Sequence, residues 1–477
     1  MVKAIVEWYR RRKDQPYVRP WGLAAPIAVL VVCLPLLRPL RNPDPTRMSD
    51  NEVARLATVE AMVEHGTLAV DRTSLQPRRE LIGIMRVGEK QDGERHYSKQ
   101  PPALAFFLAG PYWVMHQLGL SFSKDLALTS YLLTLLGATL PVAVAGGLVY
   151  RMGRLFELRR PWRTGLAFAA VFGSGLVSYA TVLNTHAPAA ALILAASGAL
   201  FHGGMAKHRG QSHGWLALAG LAVSLAAVID FAALAFLFLM VLVILTMHWP
   251  MASRVGGMLW YGLGALPPLA LHMALMMPVT GDIRPGFLHQ ELQPSVIATT
   301  QQWGEDEEEE GPSWMAQTAG HLADGLVGRH GMFSHFPILL LGLVGMGVVL
   351  RRHWPSPTKT LAMVTLAGAV MIIGVYSGLN ADWDQPMFAV RWFVPFLPLV
   401  VYWSGVWLRE RHHPAMWAVV GILLGFSVLT TLIGATAPFT QGQEGEYTAY
   451  AAVRQLFVNS HPVHVIANHP LPLPTVE

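Results

Sequence analysis

Ionisable side chains that interrupt apolar sequence are the first places to look for chemistry, because charge beside a membrane is costly. The earliest such place is Met48-Ser49-Asp50-Asn51-Glu52-Val53-Ala54-Arg55. Ser49 followed by Glu52 three residues later has the spacing of a capping box, so a helix begins here. Leu56, Val59 and Val63 continue it as a loose apolar stripe, and Gly66 is a natural stop. Asp50 and Glu52 can do either of two things at a helix start. They can serve the cap and the helix dipole, worth about 0.5–2 kcal/mol. Alternatively, one of them can act as general base toward an acceptor hydroxyl or amine.

Other polar residues recur at the ends of apolar runs. In His96-Tyr97-Ser98-Lys99-Gln100-Pro101-Pro102 the prolines impose an extended entry and then suit the first turn of a helix. Lys99 beside that helix start suits a phosphate, or else snorkels to the membrane surface. Asp230 is flanked by long apolar runs, so it either makes a hairpin turn or faces a polar cavity. His186, in Asn184-Thr185-His186-Ala187-Pro188, poses the same question. Arg329 and His330 precede one apolar run, and Arg391 enters another. An arginine there can bind a lipid-linked phosphate bidentately or simply anchor to headgroups. Asp382 and Asp384 lie in a turn on the same side.

The elements that must position these residues are membrane spans. Hydrophobic residues make up 53% of the 477 and charged residues only 14%, against about a quarter in a soluble chain. Apolar runs recur from residue 22 to residue 437, which only helices can satisfy here. The expected fold is an all-α polytopic membrane protein of about eleven spans, near 22–38, 126–150, 165–183, 188–203, 214–229, 231–248, 257–277, 336–350, 361–378, 392–408 and 415–437. All of 1–477 then forms one transmembrane domain. Arg10-Arg11-Arg12-Lys13 sets the N-terminus inside, and the first span reads as an uncleaved anchor. Arg151, Arg154, Arg159, Lys207, Arg254, Arg351, Arg352 and Arg409 then also fall inside.

That topology puts residues 39–118, 278–335 and 438–477 outside. The segment 102–118 is short, aromatic and interrupted by Pro111, so it is expected to lie at the interface. Glu305–Glu310 reads as a solvated loop tip rather than a cation trap. The net charge of +5 sits mostly in short inner loops and orients the chain, so it does not indicate nucleic acid. The single cysteine, Cys33, excludes an internal disulfide. There is no Walker loop, dinucleotide fingerprint, HExxH or CxxC pair, which argues against nucleotide-driven transport and a thiolate metal site.

This arrangement resembles the GT-C superfamily of membrane glycosyltransferases, in the branch that includes protein O-mannosyltransferases and the lipid A aminoarabinose transferase. Asp50-Asn51-Glu52-Val53-Ala54-Arg55-Leu56-Ala57, with Met62 and Gly66, is similar to the acidic first-loop motif of that group. Lys99-Gln100-Pro101-Pro102 is similar to its later Lys-Pro or His-Pro-Pro segment. Gly328–Ser334 and Val390–Pro395 look like segments of bacterial members. The group's acidic pair is adjacent, whereas Asn51 splits it here and Arg55 comes one residue late.

The resemblance implies an enzyme in a bacterial cytoplasmic membrane that takes a polyprenyl-phosphate-linked sugar as donor. The acceptor would be a lipid, glycan or protein on the outer face, with inversion at the anomeric carbon. A first-loop carboxylate, Asp50 or Glu52, would be the base. Lys99, Arg391 and Arg55 would hold the donor phosphate, with His186, Asp230, Arg329 and His330 as further cavity candidates. A divalent metal ion could assist, but no ligand set is evident. The competing readings are a lipid flippase or other transporter, which calls for ionisable residues near the midplane, and a non-catalytic envelope scaffold.

Overall fold

The computed structural model describes residues 20–41, 48–75, 83–88, 95–205, 209–247, 249–289, 292, 313–379, 387–410, 412–440 and 446–458. The acidic tract 305–310 and the turn carrying Asp382 and Asp384 lie outside the described residues, as do residues 1–19 and 459–477.

The protein is a multi-pass α-helical membrane protein. Among the described residues, seven helices are long and apolar enough to cross a membrane: Trp21–Arg41, Phe122–Phe156, His186–Met205, Ser212–Ile229, Met251–Thr280, Ser356–Gly378 and Pro414–Thr436. Three shorter apolar helices, Phe231–Leu245, Leu339–Arg351 and Leu397–Leu408, accompany them. The expected run 165–183 takes a different form. Helix Arg160–Phe172 stops at Gly173, and a 3-10 turn follows at Val177–Tyr179. The cause is Gly175, whose φ of +73° suits glycine and whose missing side chain leaves room for the Phe336 ring. This early stop turns Tyr179 toward the end of the bundle, where it reaches the cavity described below.

Small residues let the helices approach closely. A Cβ on Gly220 would lie 1.9 Å from the Tyr261 carbonyl oxygen, and one on Gly264 would lie 1.9 Å from that of Ala217. Helices Arg209–Ile229 and Met251–Thr280 therefore cross backbone to backbone, as membrane helices do when packing rather than hydrophobicity joins them. The outward face of Met251–Thr280 carries Leu259, Leu263 and Leu266, all exposed, which suits contact with lipid.

The first loop is more structured than a polar linker. Helix Asp50–Glu64 begins where the capping pattern predicts, with the Ser49 hydroxyl accepting from the Glu52 amide at 3.3 Å. An antiparallel hairpin, β1 (Ile84–Val87) and β2 (Arg95–Ser98), pairs Ile84 with Ser98. It rests on that helix, since a Cβ on Gly83 would meet the Asp50 carbonyl at 2.9 Å. The Lys99 amide closes the hairpin by donating to the Gly83 carbonyl at 2.9 Å. After Pro101-Pro102 comes helix Ala103–Gln117, about 22 Å long and so short of the roughly 30 Å hydrocarbon core. Phe106, Phe107 and Trp113 are exposed on it.

Candidate active site

Helical geometry separates the polar residues of the first-loop helix. Asn51 and Arg55 are one turn apart and share a face. Glu52 is rotated by about 100° from Asn51 and faces elsewhere. Asn51 and Arg55, with Ser49, line a cavity of about 130 Å³. Its other walls are the turn Lys99–Pro101, the segment Tyr179–His186, the hairpin tip Ile229–Phe231, and Tyr376, Arg391 and Trp392. Residues remote in sequence thus converge where the first-loop helix and hairpin meet the ends of membrane helices.

Three cations, Arg55, Lys99 and Arg391, are each at least nine-tenths buried and line this one space. Arg55 donates from Nη2 to Gln100 Oε1 at 3.0 Å, and Gln100 donates on to Asn51 Oδ1 at 2.8 Å. Arg55 Nε is buried without a partner. Burial first, and then the charge of Arg391, push the Arg55 pKa down to about 10, while Asp230 and Glu52 oppose the shift. Arg55 therefore remains a cation at neutral pH. Arg391 lies in a 3-10 turn, with its guanidinium 5.1 Å from the centre of the Trp392 ring. Trp392 stacks on Tyr376 at 5.7 Å and 20°.

Asp230 is the one carboxylate among the described lining residues. It both makes the turn, accepting from the Ala232 amide at 3.3 Å, and faces the cavity. Its Oδ2 lies 2.5 Å from His186 Nδ1, and the Tyr376 hydroxyl donates to the same carboxylate. His186 starts its helix because Asn184 Oδ1 caps it, accepting from the Ala187 amide at 2.9 Å. With Nδ1 held by Asp230, Nε2 is the nitrogen left for the cavity.

The remaining candidates lie elsewhere. Glu52 is fully buried, and Arg38 grips its Oε1 from Nε at 3.1 Å and Nη2 at 2.8 Å. That pair fastens the first-loop helix to the end of the first span. Asp50 is half-buried at the helix start and is not among the described lining residues. Arg329 and His330 are also outside the cavity and gather on Asp324. His330 Nδ1 lies 2.7 Å from Asp324 Oδ2, and Arg329 Nε lies 3.6 Å from it. Sequence reasoning did not single out Tyr376, Tyr179 or Gln100. An aromatic near a span end is ordinary interfacial chemistry, so it gave no signal.

Among the described residues no group of three or more His, Cys, Asp or Glu could hold a metal ion. Three cations facing one carboxylate also make a poor donor set for a divalent cation. The same set suits an anion, and arginine and lysine together suit a phosphate.

No family model matches the sequence, and no curated protein matches it. The fold is similar to that of ArnT from Cupriavidus metallidurans. The apo structure aligns with a TM-score of 0.53 at 13% identity, covering 91% of this chain and 77% of that one. The structure bound to undecaprenyl phosphate aligns with a TM-score of 0.52 at 13% identity, with the same coverage. An oligosaccharyltransferase from Archaeoglobus fulgidus in the apo form aligns at 0.48 and 12% identity, covering 88% of this chain and 56% of that one. At 0.48 that last likeness bears no weight. The likeness to ArnT is one of fold.

Proposed function

We propose that this protein is a GT-C-type glycosyltransferase that moves a sugar from a polyprenyl-phosphate donor to an envelope lipid, glycan or protein. The reading puts the cavity on the extracytoplasmic face of a bacterial cytoplasmic membrane, with the N-terminus inside. The observation that carries it is the convergence of Arg55, Lys99 and Arg391, all buried, on one cavity at the helix ends. The neighbour of like fold, ArnT, has been captured with undecaprenyl phosphate, a ligand of the proposed class.

In the proposed reaction an acceptor hydroxyl or amine attacks the anomeric carbon from the side opposite the phosphate. The bond between that carbon and the phosphate oxygen breaks, and its electron pair leaves on the lipid phosphate. Arg55, Lys99 and Arg391 stabilise the charge gathering there, which is where preorganised cations contribute most. Phosphate leaves readily, so no general acid is needed. The acceptor proton passes to a base as the new bond forms.

We take His186, oriented by Asp230, as that base in preference to Asp50. The ground is that both members of the pair line the cavity, and that a carboxylate on Nδ1 fixes the tautomer with Nε2 as acceptor. Glu52 is assigned to holding Arg38 instead.

The test replaces Arg55, Lys99 and Arg391 singly by alanine, with envelope glycans read by mass spectrometry. Loss of a glycan in all three is the expected outcome. Normal expression with unchanged glycans in all three would sink the reading.

A further inference from the structure

A second concavity, of about 560 Å³, lies far from the first, where helix Leu339–Arg351 ends beside the short helix Gly405–Leu408. Helix Ser356–Leu379 fixes the separation. It starts just after Trp354, which lines this concavity, and it carries Tyr376 into the cavity at its other end. Twenty residues of helix between Ser356 and Tyr376 span about 30 Å, the thickness of a hydrocarbon core. The two concavities therefore face opposite membrane surfaces.

The second concavity is amphipathic. Val348, Val406 and Trp354 give it an apolar wall, and Arg351, Arg352, His353 and Arg409 line its rim together with one carboxylate, Glu410. Two of the arginines are held in place. Arg409 donates to Glu157 at 2.8 Å and lies over Trp354, and Arg352 pairs with Glu410. Arg351 has no carboxylate partner among the described residues. Two further features point to lipid. Trp162, Trp417 and Trp407 form a chain of ring contacts at 5.0 and 4.7 Å beside the pocket, and tryptophan marks headgroup depth. Leu340 and Val344, exposed at 45% and 53%, precede Val348 at four-residue steps. Together they form an apolar stripe along one helix face that leads directly to the pocket.

We propose that this pocket binds the headgroup of an anionic phospholipid in the leaflet opposite the cavity. The arginines take the phosphodiester, and an acyl chain lies along the Leu340–Val344–Val348 stripe. Basic pockets between membrane helices are suited to anionic headgroups in this way. The site is separate from the proposed sugar transfer and stands whether or not that reading holds.

The experiment reconstitutes the full chain into vesicles containing phosphatidylglycerol with a photoactivatable acyl chain, or phosphatidylcholine with the same chain. Labelled peptides are then mapped. Residues 340–354 and 406–410 should be labelled about tenfold more by phosphatidylglycerol, in line with one charge-assisted contact. Arg351→Gln/Arg352→Gln should abolish that preference, and Arg391→Gln, at the other cavity, should leave it intact. Equal labelling by the two lipids would overturn the proposal, and that comparison needs only the unaltered protein. Competition by glycerol 3-phosphate as strong as by unlabelled phosphatidylglycerol would also overturn it, in favour of a soluble phosphate ligand.

Discussion

His186 meets Asp230 through Nδ1 at 2.5 Å, and His330 meets Asp324 through the same nitrogen at 2.7 Å. Taken alone the two contacts are equivalent. Their surroundings are not. Asp324 and His330 are six residues apart, and the carboxylate also accepts from the His330 amide at 3.4 Å, so this pair closes a local turn after helix Trp314–Leu326. His186 and Asp230 are 44 residues apart, at the ends of membrane helices, and share their space with Arg55, Lys99 and Arg391. Pair geometry identifies an oriented histidine, and only the company it keeps identifies a site.

Substitution at the two pairs puts this contrast at risk. Asp230→Asn or His186→Gln should lower transfer by about 10²–10⁴-fold, the usual contribution of a general base. Asp324→Asn should leave transfer within about threefold and instead lower stability by about 1–3 kcal/mol, as loss of a buried hydrogen-bond partner does. Both are read from product formation in membranes and melting in detergent. If the two aspartates proved equally important for transfer, the contrast would fail.

The two first-loop acids sharpen the same point. Glu52→Gln should destabilise the protein by about 3–5 kcal/mol, because it breaks the buried Arg38–Glu52 ion pair. Arg38→Met in the same chain should restore part of the loss. Asp50→Asn should cost under about 2 kcal/mol, the range of a helix-start interaction. Thermal melting of the purified variants decides. A small effect at Glu52 together with abolished transfer would return the base to the first loop.

A smaller effect concerns His335, which ties the chain's last described helix to the loop before Leu339–Arg351. Its Nδ1 donates to the Gly331 carbonyl at 2.8 Å, and Nε2 accepts from the Thr448 hydroxyl at 2.8 Å. Burial pushes the His335 pKa down from 6.5 to about 3. Between those values the unfolded chain holds the proton and the folded chain does not. Stability from this group is therefore full above about pH 6.5 and falls as pH drops toward 3. The loss should reach about 2 kcal/mol at pH 5, seen as a lower melting temperature that His335→Gln makes less pH-dependent. Identical pH dependence in the variant would refute it.

Much of this was legible in the sequence, for identifiable reasons. Most span positions follow from apolar run length, the broken run 165–183 excepted, and Ser49 and Pro101-Pro102 mark helix starts through local chemistry. Asp230 and Lys99 stood out because charge beside apolar runs is rare. The hairpin Ile84–Val87 and Arg95–Ser98 did not stand out, since its short strands carry Arg86, Arg95 and His96 and lack clean alternation. The grip of Arg38 on Glu52 joins residues across a stretch whose path no local pattern fixes. Arg329 and His330 carried the same chemical promise as His186, and only their place outside the cavity separated them.

The central claim is that Arg55, Lys99 and Arg391 form a phosphate site, and direct binding tests it. Native mass spectrometry of the purified protein with a polyprenyl phosphate should show one bound lipid. Occupancy should fall at least about tenfold in Arg391→Gln and in Lys99→Gln, and stay unchanged in Arg329→Gln. No bound polyprenyl phosphate, or equal occupancy in all four proteins, would contradict the account.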